Sequence, residues 1–337
     1  MFEAFCTRVE FSRQVEEQLK IEKISCIGAG LIGHSWATFF SWKGYEVTLQ
    51  DLRKETLEQA LSQIRQNLEF LSEKRILKDK TVEDCLGRIR ITSNLKEAVA
   101  ETDYVQESVY ESYQAKKNVF KSMDAIAPPE TILASSSSTL KMTLVQKATK
   151  KPARCIIVHP WNPPYLMPLV EIIPGKKTSA ETVKAAKEFM TRLGKVAVVQ
   201  KKEMAGTIGN RLAAAVWREA IDLVYKDVAE LEDIDKAVSA GPGIRWAILG
   251  PHLSYHLGGG KGGIEYYLHH LGPAMAARWR TLATWTSIPS QAERKIIDGI
   301  RKMKLLQEKH PDEIAKWRDE KIIELLKVLY RDSGLQG

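Results

Sequence analysis

The stretch KISCIGAGLIGHSW, residues 23–36, decides the fold prediction for this chain. Its apolar first part predicts a strand, and three glycines in G-x-G-x-x-G spacing then open a helical pattern. Asp51 ends the next strand-like run, 23 residues after Gly28 (51 − 28). A strand, a glycine turn, a helix and an acidic residue at this distance together predict a Rossmann unit that binds a dinucleotide.

Each glycine of this turn has a separate physical role. Gly28 permits the tight turn, Gly30 lets the backbone approach a pyrophosphate, and Gly33 allows close packing of helix on strand. A carboxylate at Asp51 would accept hydrogen bonds from ribose hydroxyls and repel a 2′-phosphate, which favours NAD over NADP. A glycine turn in an α/β protein without a nucleotide remains the alternative. The predicted cofactor-binding residues of this unit are Gly28, Gly30, Leu31, Ile32, Gly33 and Asp51.

The order of the elements predicts two kinds of domain. Short apolar runs alternate with helical patterns from residue 21 to about residue 200, which favours a mainly parallel, doubly wound sheet. After Gln200 the strand-like runs stop and only helical patterns follow. We therefore predict an α/β Rossmann-type domain over 21–200 and an all-α C-terminal domain over 201–337. Residues 1–20 are predicted to form an N-terminal extension.

Composition excludes several classes of function. The 337 residues carry a net charge of +8, but the lysine pairs are scattered and no basic run with interleaved aromatics occurs, so no nucleic-acid partner is expected. No apolar run approaches about 18 residues, which argues against a membrane span. His252 and His256 share a helical spacing but have no obvious third ligand, so no metal is expected.

The cysteines indicate the compartment. The chain has four of them, with no C-x-x-C pair and no regular spacing. This pattern is typical of reduced thiols rather than a disulfide framework, and it predicts a cytoplasmic protein. The four are Cys6, Cys26, Cys85 and Cys155.

The stretch HPWNPPYLMPLVEI, residues 159–172, combines a titratable pair with a stiff, proline-rich connection. His159 follows one strand-like run, and Glu171 lies late in the next. A hairpin-like return would bring them together. A histidine oriented by a carboxylate suits removal of a proton from an alcohol at neutral pH, whereas a purely structural histidine remains the alternative.

This stretch resembles the H-x-x-N-P…L-V-E pattern of the L-3-hydroxyacyl-CoA dehydrogenase family. The similarity extends over nearly all the chain after residue 20 and includes the glycine turn, ILASSSSTL at 132–140 and AGTIGNRL at 205–212. The resemblance implies that His159 is the catalytic base, that Glu171 pairs with it, and that Ser138 and Asn210 contact the reacting oxygen. It also implies a place for Glu107 near the nicotinamide, and a homodimer formed through the C-terminal domain.

Two regions depart from the members that act on acyl-CoA esters. The helical stretch after Asp51 carries several glutamates, which does not suit the phosphates of CoA. Residues 241–279 are similar to the hydroxy-acid branch, which includes the L-carnitine dehydrogenases and the lambda-crystallin-like L-gulonate 3-dehydrogenases. In that branch Arg245 is a candidate partner for a substrate carboxylate, and Trp161 and Trp246 are candidate aromatic faces for a trimethylammonium group.

The expected function is NAD-dependent oxidation of a small L-3-hydroxy carboxylic acid to the 3-oxo acid, most like that of the L-carnitine dehydrogenases. Three alternatives stay open: an L-3-hydroxyacyl-CoA ester as substrate, L-gulonate as substrate, and a non-catalytic NADH-binding protein of the crystallin type.

Overall fold

The computed structural model describes residues 21–330, so the predicted N-terminal extension lies outside the described residues. Contacts divide the chain into two compact units. The first contains residues 21–208 together with 322–330 of the described range, and the second contains 209–321. The predicted boundary at residues 200 and 201 stays a prediction, and the return of the last helical turns to the first unit was not foreseen.

The first unit is built on an eight-stranded sheet in the order β3-β2-β1-β4-β5-β6-β7-β8. All neighbouring strands are parallel except β6 and β7, which are antiparallel. Its first six strands therefore have the order 3-2-1-4-5-6 of a dinucleotide-binding fold. The strands are β1 Lys23–Ile27, β2 Glu46–Gln50, β3 Ile89–Thr92, β4 Tyr104–Glu107, β5 Ile132–Ser135, β6 Cys155–Pro160, β7 Leu169–Pro174 and β8 Val196–Val199.

Helices connect these strands, as the alternating pattern predicts. They are α1 Leu31–Lys43, α2 Lys54–Glu73, α3 Val82–Leu86, α4 Leu95–Val99, α5 Tyr113–Ile126, α6 Met142–Val145 and α7 Ala180–Arg192. The strand order reverses between β1 and β4, which is where a doubly wound sheet opens a crevice for its ligand. The predicted fold class is confirmed.

The core of this unit lies where α1 crosses the sheet. Trp36 stacks on Phe40 with ring centroids 5.0 Å apart, and Tyr104 of β4 lies 4.9 Å from Phe189 of α7. These side chains are fully or almost fully buried. Burial of large apolar surface is the main force that holds α1, and thus the glycine turn before it, against the sheet.

The connection between β6 and β7 reverses the direction of the chain within the sheet. Because the two strands are antiparallel, His159 lies directly opposite Glu171, and Val158 lies opposite Ile172. The hairpin-like return predicted from the proline-rich segment is therefore confirmed. Residues on directly opposite positions of an antiparallel pair point to the same face of the sheet, so the two side chains can meet.

The second unit is helical. Its described helices are α8 Ile208–Tyr225, α9 Leu231–Val238, α10 Ile244–Ile248, α11 Pro251–Gly258, α12 Gly263–Trp279, α13 Ser290–Lys302, α14 Lys304–Glu308 and α15 Pro311–Leu329, of which α8 and α15 begin or end in the first unit. None of the helices described between residues 21 and 330 is long and apolar enough to cross a membrane.

One helix prediction in this unit is wrong. The sequence pattern predicts a continuous helix from Ile244 to Leu257, but the helix ends at Ile248 and a new one begins at Pro251. Leu249 between them is extended, with φ −131° and ψ 131°. A proline is well suited to the first position of a helix, because it lacks the N–H that has no partner there, and it cannot continue a preceding helix.

Candidate active site

The glycine turn follows β1 at the opening of the crevice. Gly28 has a φ of +94°, a left-handed conformation that side chains disfavour. A Cβ on Gly33 would lie 1.7 Å from the Gly28 carbonyl oxygen, so the helix can approach the strand only because residue 33 is a glycine. A Cβ on Gly30 would meet no protein atom within 4 Å. The space beside Gly30 is therefore free for a ligand that must come close to the backbone.

Asp51 is positioned by this turn. Its Oδ2 accepts a hydrogen bond from the Ala29 amide at 2.9 Å, and its Oδ1 accepts one from the Arg53 amide at 3.3 Å. The carboxylate is half-buried, at the end of β2 and next to the start of α1. The open space at Gly30, the helix N-terminus and the adjacent carboxylate fit the pyrophosphate and ribose of NAD.

The titratable pair of the hairpin lies at the end of β6. The Nδ1 atom of His159 is 3.1 Å from Oε2 of Glu171, and both side chains are buried. The structure thus brings together the two residues that the sequence predicts as base and partner. A carboxylate at Nδ1 holds the ring in the tautomer whose Nε2 is free to accept a proton.

Trp161 contacts the same carboxylate. Its indole Nε1–H donates to Oε2 of Glu171 at 3.2 Å, and its side chain is half-buried. The sequence predicts this tryptophan as a substrate contact. The structure shows a hydrogen bond to the partner of the base, and a contact with substrate stays a prediction.

A lysine supports the turn between the two strands. The Nζ atom of Lys195 donates to the carbonyl oxygen of Pro164 and, at 2.9 Å, to that of Met167. It also lies 4.0 Å from the centroid of the Phe39 ring. Burial, with a smaller contribution from Lys43, lowers the pKa of Lys195 well below its usual value. Even a neutral amine keeps two N–H groups, one for each carbonyl oxygen.

Glu107, the predicted neighbour of the nicotinamide, ends β4 and is fully buried. Its Oε1 forms an ion pair with Lys116 at 2.7 Å and accepts the Val109 amide at 2.6 Å. Its Oε2 accepts the Ser135 hydroxyl at 2.6 Å. Lys116 is itself almost fully buried, so each charge depends on the other. The role of Glu107 toward the cofactor stays a prediction.

A second glutamate binds the loop that contains Ser137, Ser138 and Thr139, called the serine loop below. Oε1 of Glu111 accepts hydrogen bonds from the Ser137 hydroxyl at 2.6 Å, the Ser138 amide at 3.1 Å and the Thr139 amide at 3.2 Å. Burial alone would raise the pKa of Glu111, but these hydrogen bonds and the charge of Lys116 outweigh it and lower the pKa. The loop that carries the candidate Ser138 is therefore anchored to an ionised carboxylate, which sequence analysis missed.

The remaining candidates belong to the second unit. Asn210 is half-buried near the start of α8, and Arg245 and Trp246 are exposed on α10. Their contacts with substrate stay predictions. Among residues 21–330 there is no group of three or more histidine, cysteine, aspartate or glutamate side chains that could hold a metal ion.

Two family models match the chain. The model described as "3-hydroxyacyl-CoA dehydrogenase, NAD binding domain" matches residues 23–204. The model described as "3-hydroxyacyl-CoA dehydrogenase, C-terminal domain" matches residues 206–299. Both agree with the resemblance that the sequence motifs indicate.

Individual proteins are similar as well. The L-carnitine dehydrogenase of Bacillus cereus is 35% identical over 92% of this chain and 93% of its own length. That of Streptomyces coelicolor is 36% identical over 78% of this chain and 81% of its own. Among solved structures, 5-formyl-3-hydroxy-2-methylpyridine 4-carboxylic acid 5-dehydrogenase, an NAD⁺-dependent dismutase, has a TM-score of 0.77 at 28% identity and covers 93% of this chain and 99% of its own. The Escherichia coli 3-hydroxybutyryl-CoA dehydrogenase has a TM-score of 0.63 at 28% identity and covers 77% of this chain and 53% of its own.

Proposed function

Because the chain belongs to the 3-hydroxyacyl-CoA dehydrogenase family, we propose that it oxidises a free L-3-hydroxy carboxylic acid, most like L-carnitine, to the 3-oxo acid. It is an NAD-dependent dehydrogenase that acts on a CH–OH group. The observation that carries the proposal is the buried His159–Glu171 pair at the end of β6, in the unit that holds the glycine turn.

In the proposed mechanism, His159 removes the proton of the substrate hydroxyl through Nε2. Glu171 holds the ring from the Nδ1 side and stabilises the imidazolium that forms. NAD, which Gly28, Gly30, Gly33 and Asp51 would hold, would supply the acceptor for the hydride of the carbinol carbon. The family roles of Ser138 and Asn210, contacts with the reacting oxygen, are retained in the proposal. The anchoring of the serine loop by Glu111 would keep Ser138 in place during the reaction.

Two observations favour a free acid over a CoA ester as the substrate: the names of the similar proteins and the charge of the α2 surface. The chain is about 35% identical, over most of its length, to proteins named L-carnitine dehydrogenase. The surface of α2 carries Glu55, Glu58 and Glu69, and its Arg65 is already paired with Glu83 at 2.6 Å. Such a surface would repel CoA phosphates rather than bind them. In the proposal Arg245 holds the substrate carboxylate, and Trp161 and Trp246 face the trimethylammonium group.

The substrate is tested by NADH formation with L-carnitine, L-gulonate, L-3-hydroxybutyrate and L-3-hydroxybutyryl-CoA at equal concentrations. We expect turnover of L-carnitine with a kcat/KM at least about tenfold above the others, a difference of ~1.4 kcal/mol in transition-state binding. Turnover of the CoA ester alone would contradict the proposal and favour the 3-hydroxyacyl-CoA function for which the family is named. NADH binding without turnover of any substrate would favour a non-catalytic protein.

We also propose that the chain forms a homodimer through its second unit. Several large apolar side chains of this unit are exposed, which suits a surface that is buried in an interface. Examples are Trp217 (60% exposed), Ile248 (65%), Leu268 (59%) and Trp279 (62%). A second copy of this unit would bury them.

Light scattering after size exclusion tests the dimer. We expect twice the chain mass for the wild type and a shift toward the monomer for Trp279→Glu, because a charge would be desolvated at the interface. Lys187→Glu, an exposed change on α7, is the control and should leave the mass unchanged. A monomeric wild type at micromolar concentration would contradict the proposal.

A cytoplasmic location with a small-molecule partner, and with neither nucleic acid nor membrane as partner, completes the proposal. It is supported by Cys26, Cys85 and Cys155, which are buried free thiols, as expected in a reducing compartment. Burial raises the pKa of Cys155 to about 12, which keeps this thiol unreactive. Recovery of the protein in the membrane fraction or with DNA after cell lysis would contradict it.

A further inference from the structure

The carboxylate of Glu171 is shared. Its Oε2 atom lies 3.1 Å from Nδ1 of His159 and 3.2 Å from the indole Nε1 of Trp161. Both donors therefore reach the same oxygen atom rather than one oxygen each. Glu171 is fully buried, and a buried carboxylate depends strongly on the hydrogen bonds that it accepts.

We propose that Trp161 is a positioning residue that limits how tightly Glu171 holds the proton of His159, and so sets the pH at which this histidine acts as a base. The proposal rests on the proposed function, in which His159 removes the hydroxyl proton. A base must be unprotonated at the working pH and protonated after the reaction. A buried carboxylate at Nδ1 stabilises the imidazolium form of His159. The indole N–H reduces this stabilisation because it takes up part of the charge on Oε2.

The backbone explains why the indole can reach this oxygen. His159 and Glu171 lie opposite each other in the β6–β7 pair, and β6 ends at Pro160. Trp161 is thus the first residue of the turn, one position beyond the last strand residue. Lys195 ties the far side of this turn through the carbonyl oxygens of Pro164 and Met167. Trp161 therefore lies at the loop end of the hairpin, in a turn whose other side is held by Lys195.

Replacing Trp161 does not change the titratable groups that surround His159 and Glu171. The strands beside β6 and β7 contribute no titratable side chain: β5 reads ILAS and β8 reads VAVV. The face of α7 that is buried consists of Thr182, Ala186, Phe189 and Met190, and the charged side chains of α7 are exposed. The short helix α6 reads MTLV and has no titratable side chain. Lys195 contacts the turn through its amine, and it is present in both variants. A comparison of two variants that differ only at residue 161 therefore isolates the indole.

The test is Trp161→Phe, which keeps an aromatic ring and removes the N–H. We expect the midpoint of the acid limb of the pH profile of kcat/KM to move upward by about half a unit to one unit, a ~3- to 10-fold gain in proton affinity. The sign follows because a carboxylate that has lost one donor attracts the imidazolium more strongly. Trp42→Phe, a change elsewhere in the same unit, is the matched control and should leave the profile unchanged.

A second readout needs no substrate. The pH titration of the His159 imidazole, followed by NMR and identified with His159→Asn, should show the same upward movement in Trp161→Phe. An unmoved midpoint in both measurements would overturn the proposal, and a raised KM beside it would leave Trp161 with the substrate contact alone. A downward movement would also overturn it. If the NMR midpoint rises but no hydroxy acid is oxidised, the positioning role stands and the proposed function fails.

Discussion

Replacing His159 with asparagine should lower kcat about 10²- to 10⁴-fold, the range that removal of a general base usually gives. Asparagine has an amide N–H that can still donate to Glu171, so the buried carboxylate keeps a partner. It has no nitrogen that accepts a proton at neutral pH. The loss should therefore appear in turnover and not in folding.

Two measurements separate these effects. The dissociation constant for NADH, followed by fluorescence, should change less than about twofold, because His159 lies on β6 and the glycine turn follows β1. Thermal unfolding should stay near that of the wild type. Glu171→Gln should cause a smaller loss of kcat, since the base itself is retained and only the carboxylate that orients it and stabilises the imidazolium is lost. A His159→Asn variant with wild-type turnover would exclude this residue as the base.

The second large effect is expected at the glycine turn, where two similar changes should fail in different ways. Gly33→Ala places a Cβ 1.7 Å from the Gly28 carbonyl oxygen, a distance that forces helix and strand apart. We expect the free energy of unfolding to fall by about 3 kcal/mol or more, together with loss of NADH binding. Urea unfolding measures the first and fluorescence titration the second.

Gly30→Ala is the matched variant. Its Cβ meets no protein atom within 4 Å, and the backbone at Gly30, with φ −67°, suits any residue. Stability should therefore change by less than about 0.5 kcal/mol. The new methyl group projects where the pyrophosphate approaches the backbone, so the dissociation constant for NADH should rise at least about tenfold. Wild-type affinity in Gly30→Ala would show that the dinucleotide does not bind against this turn.

Periodicity and turn chemistry predict most of the first unit. The strand before Gly28 and the helix after it follow from a change of hydrophobic period at a glycine turn, which is a local signal. The β6–β7 return was predictable because two apolar runs flank a proline-rich stretch. The register of the two strands then places His159 opposite Glu171. The sequence motif had already marked both residues as candidates.

Long-range side-chain partners could not be predicted in the same way. Lys116 would be read as a surface lysine of α5, yet it is buried because Glu107 lies there to pair with it. Glu111 holds a loop 26 to 28 residues away in sequence, and nothing local signals that distance. The indole of Trp161 looked like a ligand contact because only the folded hairpin shows which oxygen atom it reaches.

The lysine beneath the hairpin turn has a consequence for protein engineering. Four of the nine residues from 160 to 168 are prolines, which bring carbonyl oxygens but no N–H groups. The turn therefore has few donors of its own: the Leu166 and Met167 amides both donate to the Pro163 carbonyl oxygen. Lys195, about thirty positions later, supplies donors to the carbonyl oxygens of Pro164 and Met167. A designer who grafts this loop onto another scaffold would transfer its stiffness only in part unless a lysine amine, or another pair of N–H donors, is placed beneath it.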